Sequence, residues 1–104
     1  MTINEYQQAA LRTESGMSKQ YPRILNGLMG LNGEAGEAID ILKKHFFQGH
    51  EFDQEHMAKE LGDIAWYLAI SADAIGYDLE TIDECLEHPI NLNSHKPVCY
   101  ESTK

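Results

Sequence analysis

Apolar residues recur along this chain at helical spacing, and polar or glycine-bearing breaks divide them into four runs. Thr2 followed by Glu5 has the form of a capping box, and Ile3, Tyr6, Ala9 and Ala10 supply one apolar stripe. A first helix is therefore expected over about residues 3–13, ending in the polar, glycine-containing stretch Thr13-Glu-Ser-Gly-Met-Ser. Pro22 suits the first turn of a second helix, in which the apolar positions 24, 28, 31, 35, 38, 39, 42 and 46 persist to Phe46. Gln48-Gly49-His50 breaks the pattern and Asp53 is the expected cap of a third helix running to about Ile75. Its apolar stripe is Met57, Leu61, Ile64, Ala65, Leu68, Ala72 and Ile75. Gly76-Tyr77-Asp78 ends that helix, Asp78 caps a short fourth one over 79–87, and Pro89 stops it.

No alternation of useful length points to strands, so the expected fold is all-α, about four helices in a bundle-like packing around a central antiparallel hairpin. The expected domain spans residues 1–87. Residues 88–104 hold two prolines and little periodicity, and are expected to form an extended or poorly ordered tail.

The chemistry is concentrated at the two ends of the central stretch. Glu34/Glu37 and Glu60/Asp63 are i,i+3 pairs, each set to one side of its own apolar stripe at an offset of roughly 110°. Equal offsets on two antiparallel helices let the pairs face each other beside the packed seam. Four carboxylates gathered there require a cation, and an oxygen-preferring, hard one is the natural guest. Gly33, Gly36 and Gly62 lie inside helices, where each costs about 1 kcal/mol relative to Ala. Close helix packing through small residues and backbone clearance for a ligand explain them equally well.

Charge narrows the partners. Seventeen acidic against eight basic residues in 104 give a net charge of −9, which excludes broad binding to nucleic acid polymers or anionic membranes. A small anionic ligand stays compatible where bound cations reverse the local sign. No stretch is apolar enough to span a bilayer, and the N-terminus lacks signal-peptide character, so a cytoplasmic protein is expected. Cys85 and Cys99 fit reduced bystanders. A single small core favours association into a homodimer or homotetramer.

The segments GLNGEAGEAIDILKKHFFQGH and KELGDIAWYLA resemble the MazG-like, all-α nucleotide pyrophosphohydrolase family, with its ExxE and ExxD pairs, over roughly Asn4 to Glu84. The resemblance implies Mg²⁺, with Mn²⁺ as a substitute, held by Glu34, Glu37, Glu60 and Asp63. It also implies hydrolysis of a nucleoside triphosphate to the monophosphate and pyrophosphate. A carboxylate not fully committed to metal can act as general base on the attacking water, and Glu37 is the choice. Lys43 and Lys44 either reach phosphates or are solvated surface charges; Trp66 and Tyr67 either fill the core or stack on a base. His45 and His50 border the hairpin turn as surface residues, and Asp53-x-x-His56 is too isolated for a second metal site. Asn4, Tyr6 and Gln7 resemble positions in the family's first helix.

One departure stands out. Relatives carry an Asn and basic residues in the fourth helix, where this chain has Leu86 and Pro89 at about the corresponding places. Two functions from different classes follow: a Mg²⁺-dependent pyrophosphohydrolase, or a catalytically degenerate acidic module that binds a divalent ion or a protein partner. A di-iron carboxylate protein is a poorer third, since Glu-x-x-His pairs are missing.

Overall fold

The structure is a computed structural model that describes residues 1–14 and 21–82, with the backbone of the pairs 90–91 and 96–97. It is all-α. Helix α1 (Ile3–Leu11) packs on α3 (Gln54–Ala74), which runs antiparallel to the long α2 (Arg23–Gln48) along a continuous seam. A further helix opens at residues 79–82. Among the described residues, no helix is long and apolar enough to cross a membrane.

The predicted stop and start signals work as local chemistry. Thr2 and Glu5 form both halves of the capping box, with the Glu5 N–H on Thr2 Oγ1 and the Thr2 N–H on Glu5 Oε1, each at 3.0 Å. Asp53 accepts from the His56 N–H at 3.0 Å, and Asp78 from the Thr81 N–H at 2.8 Å. Gly49 ends α2 at φ +72°, a left-handed conformation that a Cβ disfavours, and its N–H returns to the Lys44 carbonyl. Gly76 turns the chain after α3 in the same way, at φ +85°. Helix α1 is shorter than expected because the Thr13 hydroxyl and N–H both turn back onto the Ala10 carbonyl, closing the helix at Leu11.

The expected end of the fourth helix at 87, the stop at Pro89, Cys85, Cys99 and most of the expected tail 88–104 lie outside the described residues. Within that tail β1 (Ile90–Asn91) pairs antiparallel with β2 (Lys96–Pro97), a two-residue ladder that alternation did not predict. Pro97 has no N–H to extend it.

The seam between α2 and α3 closes over glycine, at positions other than the three singled out from the sequence. A Cβ at Gly27 would collide with Ser71 Oγ, and one at Gly30 would collide with the Tyr67 ring. Gly33, Gly36 and Gly62 meet nothing within 4 Å, which removes close packing as their explanation. Tyr67 is thereby a seam residue, lying against the backbone of α2.

The apolar core is small, built from Ala10, Ala69, Ile70, Ala72 and Leu79, with Tyr6, Leu11, Trp66 and Ile82 packed against it. Its centre includes a polar side chain. Gln7 is 1% exposed, and its amide donates to the carbonyls of Ala69 (3.1 Å) and Tyr77 (3.2 Å) while its Oε1 accepts from the Leu79 N–H (3.1 Å). One glutamine thus ties α1 to the end of α3 and to the start of the next helix. Asn4 repeats the device at the surface, bonding the Glu80 N–H and carboxylate, each at 2.9 Å. Arg23, at the start of α2, pairs with Glu14 at 2.7 Å and Asp73 at 2.8 Å.

Two stability measurements follow. Gln7→Leu removes three hydrogen bonds and leaves the buried Leu79 N–H without its partner, at roughly 1–3 kcal/mol for a group so stranded, and is expected to cost about 2 kcal/mol in urea denaturation. Gly30→Ala is expected to lower stability by about 1–3 kcal/mol through displaced packing of Tyr67. Gly36→Ala, opening onto free space, is expected to raise it by about 1 kcal/mol in the same assay.

Candidate metal centre

The antiparallel hairpin places Glu34 and Glu37, one turn apart on α2, opposite Glu60 on α3. One carboxylate oxygen from each lies within 4.8 Å of the others. Burial grades across the group: Glu60 is 4% exposed, Glu34 half-buried and Glu37 exposed. Glu34 Oε2 and Glu60 Oε2 are both fully buried and have no hydrogen-bond donor. A buried carboxylate oxygen without a donor is costly, because the water it has lost is not replaced. Two such oxygens beside a third carboxylate call for shared positive charge, either a proton or a cation.

The titration of the pair shows the same deficit. The contact with Glu60, then burial, then the charge of Glu37 push Glu34 up to about 7, from an ordinary value of 4.5. Glu60 moves the other way, lowered first by the proton that Glu34 offers it and further by His56. His56 Nε2 lies 3.2 Å from Glu60 Oε1, one helical turn away on α3. A single proton held on Glu34 and shared toward Glu60 satisfies the pair in the absence of metal. A bound divalent ion would displace it.

The group opens onto a cleft of about 600 Å³ lined by Gly33, Gly36, Glu37, Asp40, Lys44 and His56 among others. The absence of side chains at Gly33 and Gly36 leaves backbone exposed along one wall, which is the ligand-clearance explanation of those two glycines.

The remaining predicted site residues are distributed differently. Asp63 is half-buried and not among the three clustered carboxylates; its charge acts on Tyr6 of α1, whose hydroxyl is raised first by burial and then by Asp63. Lys44 lines the cleft and pairs with Asp40 at 3.2 Å. Lys43 is exposed and turned about 100° from Lys44, away from the cleft. Trp66 donates its indole N–H to Thr13 Oγ1 at 2.7 Å and packs against the core, while Tyr67 is held in the seam over Gly30. His45 Nδ1 meets the His50 carbonyl at 2.8 Å and closes the hairpin turn. Asn4 and Gln7 are occupied by the structural bonds already described.

His56 is the residue that the sequence analysis set aside. Its partner was sought in Asp53, although His56 and Glu60 are i,i+4 neighbours on one helix face, and that spacing was the available signal.

No family model, curated protein or solved structure matches the chain. The MazG-like resemblance therefore rests on the quoted motifs.

The raised Glu34 and lowered Glu60 act oppositely on stability. Glu34 binds its proton more tightly in the folded chain, so its contribution is full below about 4.5 and is lost as the pH rises through about 7. The contribution of Glu60 is present above its ordinary 4.5 and is lost as the pH falls through its lowered value. In chelator, Tm is expected to fall from mildly acidic to mildly alkaline pH, and Glu34→Gln is expected to flatten that slope in parallel thermal melts.

Proposed function

We propose that the chain is a Mg²⁺-dependent nucleoside triphosphate pyrophosphohydrolase, converting a (d)NTP and water to the (d)NMP and pyrophosphate in the cytoplasm. The observation that carries this reading is the meeting of Glu34, Glu37 and Glu60 at an open cleft, with two buried carboxylate oxygens that lack donors. The oxygen-only donor set and the grade from buried to exposed suit a hard divalent ion that keeps part of its coordination for a phosphate ligand. When bound, such an ion neutralises phosphate charge and acidifies water, and Mn²⁺ can supply the same chemistry.

The roles of the side chains follow from their positions. Glu34 and Glu60, each with a buried Oε2, would anchor the ion. Glu37, the exposed member, is the carboxylate able to take the proton from the attacking water as its oxygen bonds to the α-phosphorus and the α–β bridging P–O bond breaks. Lys44, at the cleft wall, is placed to meet the departing pyrophosphate once it exchanges Asp40 for phosphate. Asp63, one turn from Glu60 on α3, would offer the ion a further carboxylate. His56 holds Glu60 and so positions an anchor.

A second reading has a specific observation in its favour. Trp66 and Tyr67 are both committed to packing, and among the described residues Lys44 is the one lysine lining the cleft. A site with acidic ligands but few groups for base or phosphate can bind a divalent ion without turning over nucleotides.

Pyrophosphate release from a panel of NTPs and dNTPs with Mg²⁺, run on the intact chain and on Glu37→Gln, separates the two. The hydrolase reading expects turnover that the substitution lowers by about 10²–10⁴-fold, the usual worth of a general base. An ion-dependent rise in Tm, abolished by Glu60→Gln and unaccompanied by turnover, would instead leave the binding module standing.

A further inference from the structure

His56 stands where the acidic group meets the cleft. Its ring is exposed on the cleft wall, outside the three clustered carboxylates, and it touches the group through Glu60. The contact is long for what it resembles: Nε2 lies 3.2 Å from Glu60 Oε1, whereas charged N–H···O bonds to a carboxylate run at about 2.7–2.9 Å. The separation fits another arrangement. Two ligand atoms held about 2.0–2.2 Å from one ion, at octahedral or tetrahedral angles, stand about 2.8–3.6 Å apart. Positions four apart on a helix present a histidine nitrogen and a carboxylate oxygen on the same face. Glu60 is itself 4% exposed, and its Oε2 is buried without a donor. One carboxylate therefore has an oxygen beside an imidazole nitrogen and a second, enclosed oxygen that still needs a positive partner.

We propose that His56 adds a nitrogen donor to the acidic centre, so that a first-row transition ion such as Co²⁺ or Zn²⁺ is held there more tightly than Mg²⁺. The inference rests on reading Glu34, Glu37 and Glu60 as an ion centre, and not on turnover. Donor chemistry supplies the selectivity. Mg²⁺ takes oxygen ligands and gives up its waters reluctantly, so a neighbouring imidazole adds little to its binding. Co²⁺ and Zn²⁺ accept imidazole nitrogen, and a mixed nitrogen and oxygen set favours them. When the ion binds, the Nε2 lone pair turns to the metal and Nδ1 keeps the proton of the neutral ring. A side chain 52% exposed has room for that turn without repacking. His45 differs, because its Nδ1 is engaged by the His50 carbonyl at 2.8 Å in the hairpin turn. A plain surface ion pair between His56 and Glu60 predicts no discrimination, since loss of a positioning contact weakens every ion bound through Glu60 alike.

Calorimetric titration of the metal-free full chain with Mg²⁺, Co²⁺ and Zn²⁺ in turn, repeated on His56→Ala and Glu60→Gln, tests it. The intact chain is expected to bind Co²⁺ and Zn²⁺ at least about 10²-fold more tightly than Mg²⁺. His56→Ala is expected to lower the Co²⁺ and Zn²⁺ affinities by about 10–100-fold while changing that for Mg²⁺ by less than about threefold. Glu60→Gln is expected to weaken all three. Equal losses for Mg²⁺ and Co²⁺ in His56→Ala mark a contact that only positions Glu60, and overturn the proposal. A transition ion bound no more tightly than Mg²⁺ overturns it too, and Mg²⁺ binding that Glu60→Gln abolishes then leaves the carboxylate centre standing. Binding of no ion at all removes the centre and the proposal together. Long-range ¹H–¹⁵N spectra of the unsubstituted chain read the nitrogen without any variant. Zn²⁺ is expected to shift His56 Nε2 strongly and Mg²⁺ to leave it in place. No shift at His56, or a shift confined to others of the five histidines, overturns the assignment.

Discussion

The approach of α3 to α2 over Gly27 and Gly30 is the contact from which the candidate site takes its geometry. With no Cβ at either position, Ser71 and Tyr67 lie against the α2 backbone, and the two helices come close enough for Glu60 to reach Glu34 one turn further along the seam. A larger residue at Gly30 would push Tyr67 outward and widen the hairpin at its neighbouring turn. The distance between the carboxylates is therefore set by packing several ångströms away from them. It is the backbone clearance at the seam, more than any bond within the acidic group, that holds like charges together.

That arrangement works against the stability of a thin core. Among the described residues the five buried apolar ones, three of them alanines, provide little transfer energy, and two donorless carboxylate oxygens subtract from it. Gln7 offsets part of the deficit by satisfying three backbone groups at once where the end of α3, the Tyr77 turn and the next helix converge. Ordering the two helices that carry the acidic group thus depends on bonds made from α1, on the far side of α3. Whatever relieves the charge repulsion built into the hairpin, the proton on Glu34 included, adds to the stability of so small a fold.

The helices were legible because their boundaries rest on local chemistry. Thr2 with Glu5, Asp53, Gly49, Gly76 and Asp78 each act within a few residues, and the apolar spacing of 24–46 and 57–75 is long enough to specify helical periodicity. What could not be read was the choice among neighbours on a helix face. Gln7 shares a face of α1 with Ile3 and Ala10, but the backbone groups it serves belong to residues about 60–70 places away, beyond the reach of local periodicity. The same limit applies to the acidic pairs. Equal angular offsets brought Glu34, Glu37 and Glu60 together as expected, yet helical spacing alone does not say that Glu60 would share the cluster and Asp63, one turn further on, would not. Among the glycines, Gly33 and Gly36 were noticed for lying inside a helix, while Gly27 and Gly30, which close the seam, differ from them in what the opposite helix presents.

Among the described residues, the 26-residue α2 packs chiefly on α3 and α1 packs chiefly on α3 as well, which leaves two flanks of α2. One flank carries Glu37, Asp40 and Lys44 with glycines between them, a polar and sterically open surface that suits a charged ligand in water. The other repeats leucine, isoleucine and phenylalanine with no acid among them, a surface that water disfavours. Sequence charge of −9 is thus partitioned by helix face as well as by composition. That partition concentrates negative potential on one side of the hairpin without extending the repulsion to the other.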